Sequence, residues 1–454
     1  MAKYQRYEEY RNSGVEWLGE IPKGWEITAL KRYCNVKGGY AFASDAFTDV
    51  GKPIIRIGDI KEDGSINLDS CKLISNELAK SSNAYLVEKG QLLMAMTGAT
   101  IGKAGVYISD SPAYLNQRVG KFVIDNDELN YGFLWYTLKT NGYQEYIKLT
   151  AFGGAQPNIS DTGMVDYISC FPSLIEQTQI ANFLDHETAQ IDTLIEKQQT
   201  LIQLLKEKRQ AVISHAVTKG LNPDAPMKDS GVEWLGEVPE HWTVSFVKYI
   251  VLGAKDSMVD GPFGSSVNTS EDYVDDGIPV IRTVNITNNG FSSDNLKFMR
   301  QQKFEQLKRH SVKPGDVLFS KVGTIGNACL LPSDIPEAIL STTGSCKISV
   351  DQNKIEGEYL VLMFHLMNQT LMEMANSNVQ PFLNMSNIKN LKISLPSIEE
   401  QKNILTYLEE KLEGIDDLIS KSLSFDKLIR ERRTALISAA VTGKIDVRGW
   451  VAPE

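Results

Sequence analysis

The fold is decided by the stretch Ser13-Gly14-Val15-Glu16-Trp17-Leu18-Gly19-Glu20, which recurs without a change as Ser230-Gly231-Val232-Glu233-Trp234-Leu235-Gly236-Glu237. Shorter matches keep the same order along the chain: Pro22 and Trp25 with Pro239 and Trp242, Gly51–Arg56 with Gly277–Arg282, Gly90–Leu93 with Gly315–Leu318, Thr100–Gly102 with Thr324–Gly326, Gln156-Pro157 with Gln380-Pro381, and Pro172-Ser173 with Pro396-Ser397. Each copy spans about half of the 454 residues, whereas solenoid repeats span roughly 20–50 residues. The sequence therefore predicts a duplicated domain rather than a solenoid.

The composition is that of an ordinary folded protein, with 42% hydrophobic and 23% charged residues. A chain of this length has room for two or three domains, and these proportions exclude a disordered or collagen-like chain. No apolar run approaches the roughly 18–20 residues that a membrane helix needs, and the N-terminal residues carry no apolar secretory signal. We therefore expect a cytoplasmic protein that does not engage a membrane.

The residue types that bind metals are scattered along the chain. The cysteines Cys34, Cys71, Cys170, Cys329 and Cys346 form no Cys-x-x-Cys pair, and no two histidines stand four residues apart. This pattern argues against a disulfide framework and a zinc site, so no metal is expected.

The net charge of −10 disfavours bulk electrostatic binding to nucleic acid, but it leaves local basic surfaces open. Lys and Arg are in local excess at 197–219 and 421–433. A solvated helix face is the usual meaning of such runs, and contact with DNA or with an acidic partner surface is the alternative.

Two parts of the chain have a β-rich pattern. Residues 25–172 and 242–396 are rich in Gly, Thr, Val, Ile and Tyr, in short runs separated by turn signals such as Asp63-Gly64. This pattern predicts two β-rich globular domains. Some helix is expected within them, around 131–147 and 359–375.

Two other parts have the pattern of long helices. Residues 173–219 and 397–441 contain no proline and, apart from Gly414, no glycine. Each begins with a Ser-x-x-Glu capping box, Ser173–Glu176 and Ser397–Glu400, in which the hydroxyl and the carboxylate can satisfy backbone N–H groups. Gly414 predicts a kink or a two-segment helix.

Apolar residues at a constant offset of 224 mark one stripe along each of these helices. They are Ile180, Leu184, Ile191, Ile195, Leu205 and Val212 in the first helix, and Ile404, Leu408, Ile415, Ile419, Ile429 and Leu436 in the second. Such a stripe needs a partner, and the other copy is the obvious one. The chain is accordingly predicted to be an α+β protein, with two β-rich domains in tandem repeat separated by two long helices that form an antiparallel coiled coil with pseudo-two-fold symmetry.

Several motifs of the chain are shared with one known family. They are the opening Val15-Glu16-Trp17-Leu18-Gly19 with Pro22 and Trp25, the helix entry Pro172–Gln177 with its repeat Pro396–Gln401, and the segment Arg432–Arg448 near the end. Together they resemble the specificity (S) subunit of type I restriction–modification systems. The resemblance covers essentially the whole chain.

This resemblance implies a DNA-recognition subunit without catalytic activity of its own. Residues 1–172 and 221–396 would each contain a target recognition domain, which recognises one half of a split, asymmetric site in double-stranded DNA. The helical spacers at 173–220 and 397–454 would set the gap and dock two modification (methyltransferase) subunits, and two restriction (translocase–nuclease) subunits would then join. S-adenosylmethionine, ATP and Mg²⁺ would be bound by those partners, and this chain would hold no cofactor.

Loops with Gly, Asn, Gln, Arg and Lys supply the candidate DNA contacts, because such side chains suit base edges and phosphates. They are Lys37, Gly39, Tyr40, Arg56, Lys103, Asn116, Gln117, Arg118 and Gln156 in the first domain, and Ser265, Ser266, Arg282, Lys321, Thr324, Asn327 and Gln380 in the second. Each has a plainer alternative, such as a hairpin turn at 37–40 or ordinary surface polarity at 116–118. Arg56 and Arg282 occupy matching positions, so a phosphate contact or a structural ion pair fits them better than base recognition.

Enzymatic functions find less support in the sequence. The segment Thr97–Ala104 resembles a P-loop in outline, but it lacks the first glycine and the Ser or Thr that binds Mg²⁺, which predicts a tight turn followed by a strand. No Asn/Asp-Pro-Pro-Tyr/Phe segment suits a flipped base, and no duplicated set of carboxylates indicates a nuclease. Two alternatives stay open: a coiled-coil scaffold that does not recognise DNA, and the targeting subunit of a related system with a fused methyltransferase–nuclease partner.

Overall fold

A computed structural model describes residues 4–154, 156–375 and 381–452. Its α-helices are α1 (Asn76–Ser81), α2 (Tyr131–Leu138), α3 (Asn141–Thr150), α4 (Asp161–Val165), α5 (Leu174–Lys219), α6 (Thr269–Asp272), α7 (Gln301–Gln306), α8 (Gly357–Leu366), α9 (Asn368–Glu373), α10 (Met385–Lys389) and α11 (Ile398–Val441). The two long predicted helices are confirmed as α5 and α11. The helical segments predicted around 131–147 and 359–375 are each a pair of short helices.

The chain forms two compact units, each combining one globular part with half of each long helix. Unit 1 takes the described residues of Met1–Thr200 and Ser422–Glu454, and unit 2 is Leu201–Lys421. Each helical spacer named from the sequence is thus divided between the two units.

The globular part of unit 1 is built on two sheets. Its strands are β1 (Tyr10–Asn12), β2 (Glu20–Pro22), β3 (Glu26–Ala29), β4 (Cys34–Gly38), β5 (Phe47–Thr48), β6 (Lys52–Ile55), β7 (Lys72–Ile74), β8 (Leu86–Val87), β9 (Leu92–Ala95), β10 (Ala104–Val106), β11 (Ala113–Leu115), β12 (Val119–Ile124) and β13 (Ile168–Phe171). One sheet has the order β10-β9-β12-β4 and the other β5-β7-β6-β11-β8, while β1 pairs with β2 and β3 with β13. Strands β6 and β11 run parallel.

Unit 2 repeats this topology. Its strands are β14 (Met227–Asp229), β15 (Glu237–Pro239), β16 (Thr243–Phe246), β17 (Met258–Asp260), β18 (Tyr273–Val274), β19 (Ile278–Ile281), β20 (Ile286–Thr287), β21 (Gly290–Phe291), β22 (Lys297–Met299), β23 (Ser311–Val312), β24 (Val317–Ser320), β25 (Ala328–Leu330), β26 (Ala338–Leu340), β27 (Ser345–Ile348) and β28 (Lys392–Leu395). The sheets have the orders β25-β24-β27-β17 and β18-β22-β19-β26-β23, and β19 and β26 run parallel. The same strand order in both units confirms the duplicated domain.

The long helices pack against each other in an antiparallel arrangement. In unit 1, Arg433 on α11 donates two hydrogen bonds to the carboxylate of Asp192 on α5, at 2.7 and 2.9 Å. Further along α5, Gln198 donates to the backbone carbonyl of Ser422 at 3.0 Å. Residue numbers therefore rise along α5 as they fall along α11, which confirms the predicted direction.

The predicted apolar stripe lies between these helices and the globular cores. Ile180, Leu184, Ile191, Ile195, Ile404, Leu408, Ile415, Ile429 and Leu436 are buried, and Leu205, Val212 and Ile419 are half-buried. The two-segment helix predicted at Gly414 is not observed, because α11 continues unbroken through this exposed residue. One helical glycine costs only about 1 kcal/mol relative to alanine, which the packed stripe on either side outweighs.

A buried glutamine fixes the start of each long helix to its globular domain. The Gln177 side chain donates to the carbonyls of Glu128 and Pro172, both at 3.0 Å, and accepts from the backbone N–H of Asn130 at 2.9 Å. In the repeat, the Gln401 side chain likewise donates to the carbonyls of Lys354 and Pro396 and accepts from the backbone N–H of Glu356. Because every polar atom of this amide has a partner, its burial is compatible with stability.

The predicted capping boxes are half formed. The hydroxyls of Ser173 and Ser397 accept from the backbone N–H groups of Glu176 and Glu400, at 3.4 and 3.2 Å. The Glu176 carboxylate does not complete the box but accepts a hydrogen bond from the Tyr7 hydroxyl at 2.7 Å. A long-range contact has thus taken the place of the local one.

The segment after α11 returns to the first strands of unit 1. The ammonium group of Lys444 donates to the backbone carbonyl of Leu18 at 2.9 Å, and the backbone N–H of Asp446 donates to Gln5 at 2.8 Å. Unit 1 is therefore closed by residues from both ends of the described chain.

Candidate nucleic-acid interface

Backbone hydrogen bonds bring the predicted loops of the first domain together. The N–H of Gly39 donates to Val119 at 3.1 Å, and that of Gln117 donates to Tyr40 at 2.9 Å. A Cβ atom at Gly39 would lie only 2.2 Å from the carbonyl oxygen of Asn116, so glycine is required for this close approach. The loops at 37–40 and 116–118 thus form one surface.

A further loop joins the same surface through Met96. Its N–H donates to the carbonyl of Arg118 at 2.9 Å, and its own carbonyl accepts from Ile159 at 3.0 Å. The predicted residue Gln156 is exposed in the loop just before Ile159. The structure therefore places three of the segments selected from the sequence side by side.

A concave site of about 570 Å³, which we call the first recognition site, lies between Met96, the loop at 116–118 and residues 158–162. Its polar lining consists of Gln117, Arg118, Asn158, Ser160, Asp161 and Thr162. Gln117 is exposed, and Arg118 and Asp161 are half-buried. The sequence had indicated only Gln117 and Arg118, because the other four residues lie about 40 positions further along the chain.

The second domain builds a matching site with the same backbone bonds. Gly261 donates to Ser345 at 3.0 Å, Lys321 donates to Gly344 at 2.8 Å, and Leu383 donates to Lys321 at 3.0 Å. The resulting second recognition site has a volume of about 410 Å³. Its lining includes Asp260, Phe263, Lys321, Thr343, Phe382 and Asn384.

The two recognition sites differ in their chemistry. Gly344 takes the place of Arg118, and Phe382 that of Asn158. Phe263 and Phe382 leave 74% and 43% of their surface exposed, which the packing of the domain does not require. One site is polar and charged, and the other has an aromatic rim.

Lys321 does not present a free charge at the second site. Its side chain is buried, and its ammonium nitrogen lies 2.5 Å from a carboxylate oxygen of Asp260. This ion pair joins the end of β24 to β17, across the strand β27 between them, and leaves little charge for a phosphate.

The other described candidates of the second domain do not line this site. Ser265 and Ser266 lie in a short 3-10 turn beside the exposed Phe263. The hydroxyl of Thr324 is exposed and 3.0 Å from Ser320, while Asn327 donates to the carbonyl of Ile286 at 3.1 Å. Gln380 lies outside the described residues.

Arg56 and Arg282 each hold a loop of their own domain. The buried carboxylate of Asp59 accepts from the backbone N–H of Arg56 at 2.9 Å and lies 3.4 Å from its Nε atom. The guanidinium of Arg282 donates to the carbonyl of Asn295 at 2.6 Å. These contacts favour the structural alternative for both residues.

The lysines of the first domain divide into one exposed and one paired residue. Lys37 is exposed on β4, whereas the ammonium group of Lys103 lies 3.1 Å from the carboxylate of Glu62. The segment around Lys103 is a 3-10 turn at Gly98–Thr100 followed by strand β10. This confirms the turn predicted in place of a P-loop.

Ion pairs take up much of the positive charge on the long helices. They join Arg209 with Asp416, Lys421 with Asp417, Lys427 with Glu431, Arg430 with Asp426 and Arg433 with Asp192. Most of these groups are at least partly exposed, which favours the solvated helix face over a dedicated DNA-binding stripe.

Reactive and metal-binding groups are sparse in the described part of the chain. There, His, Cys, Asp and Glu do not gather in threes that could hold a metal ion. Burial raises the pKa of the Cys170 and Cys329 thiols to about 12, so they are protonated and unreactive near neutral pH. Among the helices described, none has the length and apolar character needed to cross a membrane.

Comparisons with known proteins cover nearly the whole chain. It is 27% identical over 453 residues to the type I restriction enzyme EcoBI specificity subunit of Escherichia coli, which spans 98% of this chain and 91% of that protein. It is also 27% identical over 456 residues to the putative type I restriction enzyme MjaX specificity subunit of Methanocaldococcus jannaschii, with coverage of 98% and 99%.

Solved structures share the fold. One, from work on complex assembly and conformational transition of the type I R-M system, has a TM-score of 0.72 at 14% identity and covers 93% of this chain and 98% of its own. The HsdS subunit of Thermoanaerobacter tengcongensis has a TM-score of 0.51 at 15% identity, with coverage of 94% and 98%. The family model for the type I restriction modification DNA specificity domain matches residues 22–204 and 263–423, which fall in both copies of the repeat. The chain therefore belongs to the type I restriction–modification DNA specificity family.

Proposed function

We propose that this chain is the DNA-recognition subunit of a type I restriction–modification complex, in which each globular domain recognises one half of a split, asymmetric target. The pair of recognition sites carries the proposal. Equivalent backbone bonds build both sites, but their side chains differ. A shared scaffold with different linings is what two domains need in order to recognise different base sequences.

The long helices support a docking role. Apart from the buried stripe, they expose Leu194, Leu201, Leu204, Leu418, Leu423, Phe425 and Leu428. Large apolar side chains that stay exposed on a helix pair favour association with other proteins. We assign these helices to the gap between the half-sites and to the docking of two modification subunits, which two restriction subunits join.

Catalysis in this proposal belongs to the partner subunits. They would bind S-adenosylmethionine, ATP and Mg²⁺ in the cytoplasm, and this chain would direct them to the target without a cofactor of its own.

Methylation-site mapping tests the proposal. The chain is expressed together with its neighbouring methyltransferase subunit, and the methylated positions of the host DNA are determined. The expected result is two short specific blocks separated by a fixed gap. Exchange of residues 25–172 for those of a homologue should change one block and leave the other intact. A continuous motif would contradict the two-domain geometry, and methylation that does not depend on this chain would favour the scaffold alternative.

A further inference from the structure

Two charged side chains of the first recognition site lack an ion-pair partner among the described residues. The guanidinium of Arg118 and the carboxylate of Asp161 both line the site, and both residues are half-buried. Neither side chain makes a hydrogen bond or an ion pair within the described residues. By contrast, Arg56 and Arg433 are held by nearby carboxylates. Side chains that are partly desolvated without a partner are available to a ligand.

The two groups match the edges of one base pair. In the major groove, guanine presents the O6 and N7 acceptors, which suit the paired donors of a guanidinium, and cytosine presents an N4 amino donor, which suits a carboxylate. A phosphate fits less well, because the carboxylate of Asp161 repels it. We propose that Arg118 and Asp161 recognise one G·C base pair in the half-site of the first domain, an inference that rests on the proposed function.

The second recognition site provides an internal comparison. Its helix α10 begins at Met385, just as α4 begins at Asp161, and both helices are capped by the residue before. Gly344 stands where the first domain has Arg118. Neither Arg118 nor Asp161 therefore has a charged counterpart at the equivalent position of the second site. The inference accordingly concerns one half-site and leaves the other unaffected.

Modified DNA tests the contact atom by atom. The complex of the full chain with its modification subunits is titrated, at one salt concentration, with labelled duplexes of the mapped target in which single guanines carry 7-deazaguanine. This base lacks the N7 acceptor. One guanine of the first block should show a loss of affinity, smaller than the roughly 5- to 150-fold expected for a complete bidentate pair because the O6 acceptor remains. Replacement of guanines in the second block should cause no such loss of affinity.

Two variants complete the experiment. Arg118→Ala should lose affinity for unmodified DNA, and it should lose nothing further when the sensitive guanine is replaced. Asp161→Asn should weaken discrimination at the same base pair. Lys80→Ala serves as the matched control, because Lys80 is an exposed cation of the same domain that does not line the recognition site. It should leave the base preference unchanged at every position.

The inference is overturned by a first block without a G·C pair, or by a first block in which no guanine responds to 7-deazaguanine. It is also overturned if Arg118→Ala weakens binding to all sequences equally, which would indicate a phosphate contact. Since the modified bases are tested on the unaltered protein, misfolding of a variant does not obscure the result. Absence of any sequence preference in the unaltered complex would instead contradict the proposed function itself.

Discussion

The glutamine that anchors the first long helix provides a quantitative test of the fold. Gln177→Leu nearly preserves the volume of the side chain but removes three hydrogen bonds. The carbonyl of Pro172 is left buried, at a cost of about 1–3 kcal/mol, while the partly buried groups of Glu128 and Asn130 each lose about 0.5–1.5 kcal/mol. The free energy of unfolding of unit 1 should therefore fall by about 2–6 kcal/mol.

Calorimetry of the full chain measures this effect. A unit of this size loses roughly 2–4 °C of Tm for each kcal/mol, so the transition of unit 1 should fall by roughly 4–24 °C. Gln190→Leu is the matched control on the same helix and in the same unit, because Gln190 is exposed and bonds only to His186, one turn away. Its effect should stay within about 0.5 kcal/mol. If the unit 1 transitions of the two variants had the same Tm, the anchoring role of Gln177 would be refuted.

Three further changes have definite expected outcomes. Gly414→Ala should raise the free energy of unfolding by about 1 kcal/mol in urea titrations, because α11 is continuous there and the added methyl group meets open space; a lower stability would contradict this. Gly39→Ala should lower both DNA affinity and Tm, since its Cβ would collide with Asn116, whereas Gly24→Ala has room and should change neither. The Cys170 thiol has a pKa of about 12 in the folded protein, against about 8.5 in the unfolded chain. Because the unfolded state releases this proton first as the pH rises, the free energy of unfolding should fall between pH 9 and 12. Urea titrations of Cys170→Ala should show a weaker dependence on pH.

The sequence predicted those features that depend on local pattern. Identical strings at Ser13 and Ser230 indicated the duplication, and the lack of glycine and proline indicated the helices because such residues end them. The capping box at Ser173 was predicted only in part, since the carboxylate of Glu176 found a partner far away in sequence. Tertiary contacts of this kind leave no trace in a local motif.

In the recognition sites too, the sequence predicted the residues of a local motif and missed those that only the fold brings together. The loop at 116–118 was found by its residue types, whereas Asp161 was missed because only the fold brings it beside Arg118. A signal was available in the comparison of the two copies, where Asp161 is replaced by Met385. Lys321 resembled a surface cation, but its burial against Asp260 depends on strand pairing that its neighbours in sequence do not indicate.

The closure of unit 1 by a distant segment has a consequence for synthesis. Unit 2 has all of its residues once position 421 has left the ribosome, whereas unit 1 still lacks 422–452. Synthesis proceeds at about 5–20 residues per second. The apolar residues Ile191 and Ile195 of unit 1 therefore lack their partner helix during the whole time in which the second domain is synthesised. The domain that is translated first is thus the last to be completed, and nascent chains halted before residue 422 should depend on chaperones to keep that first domain soluble.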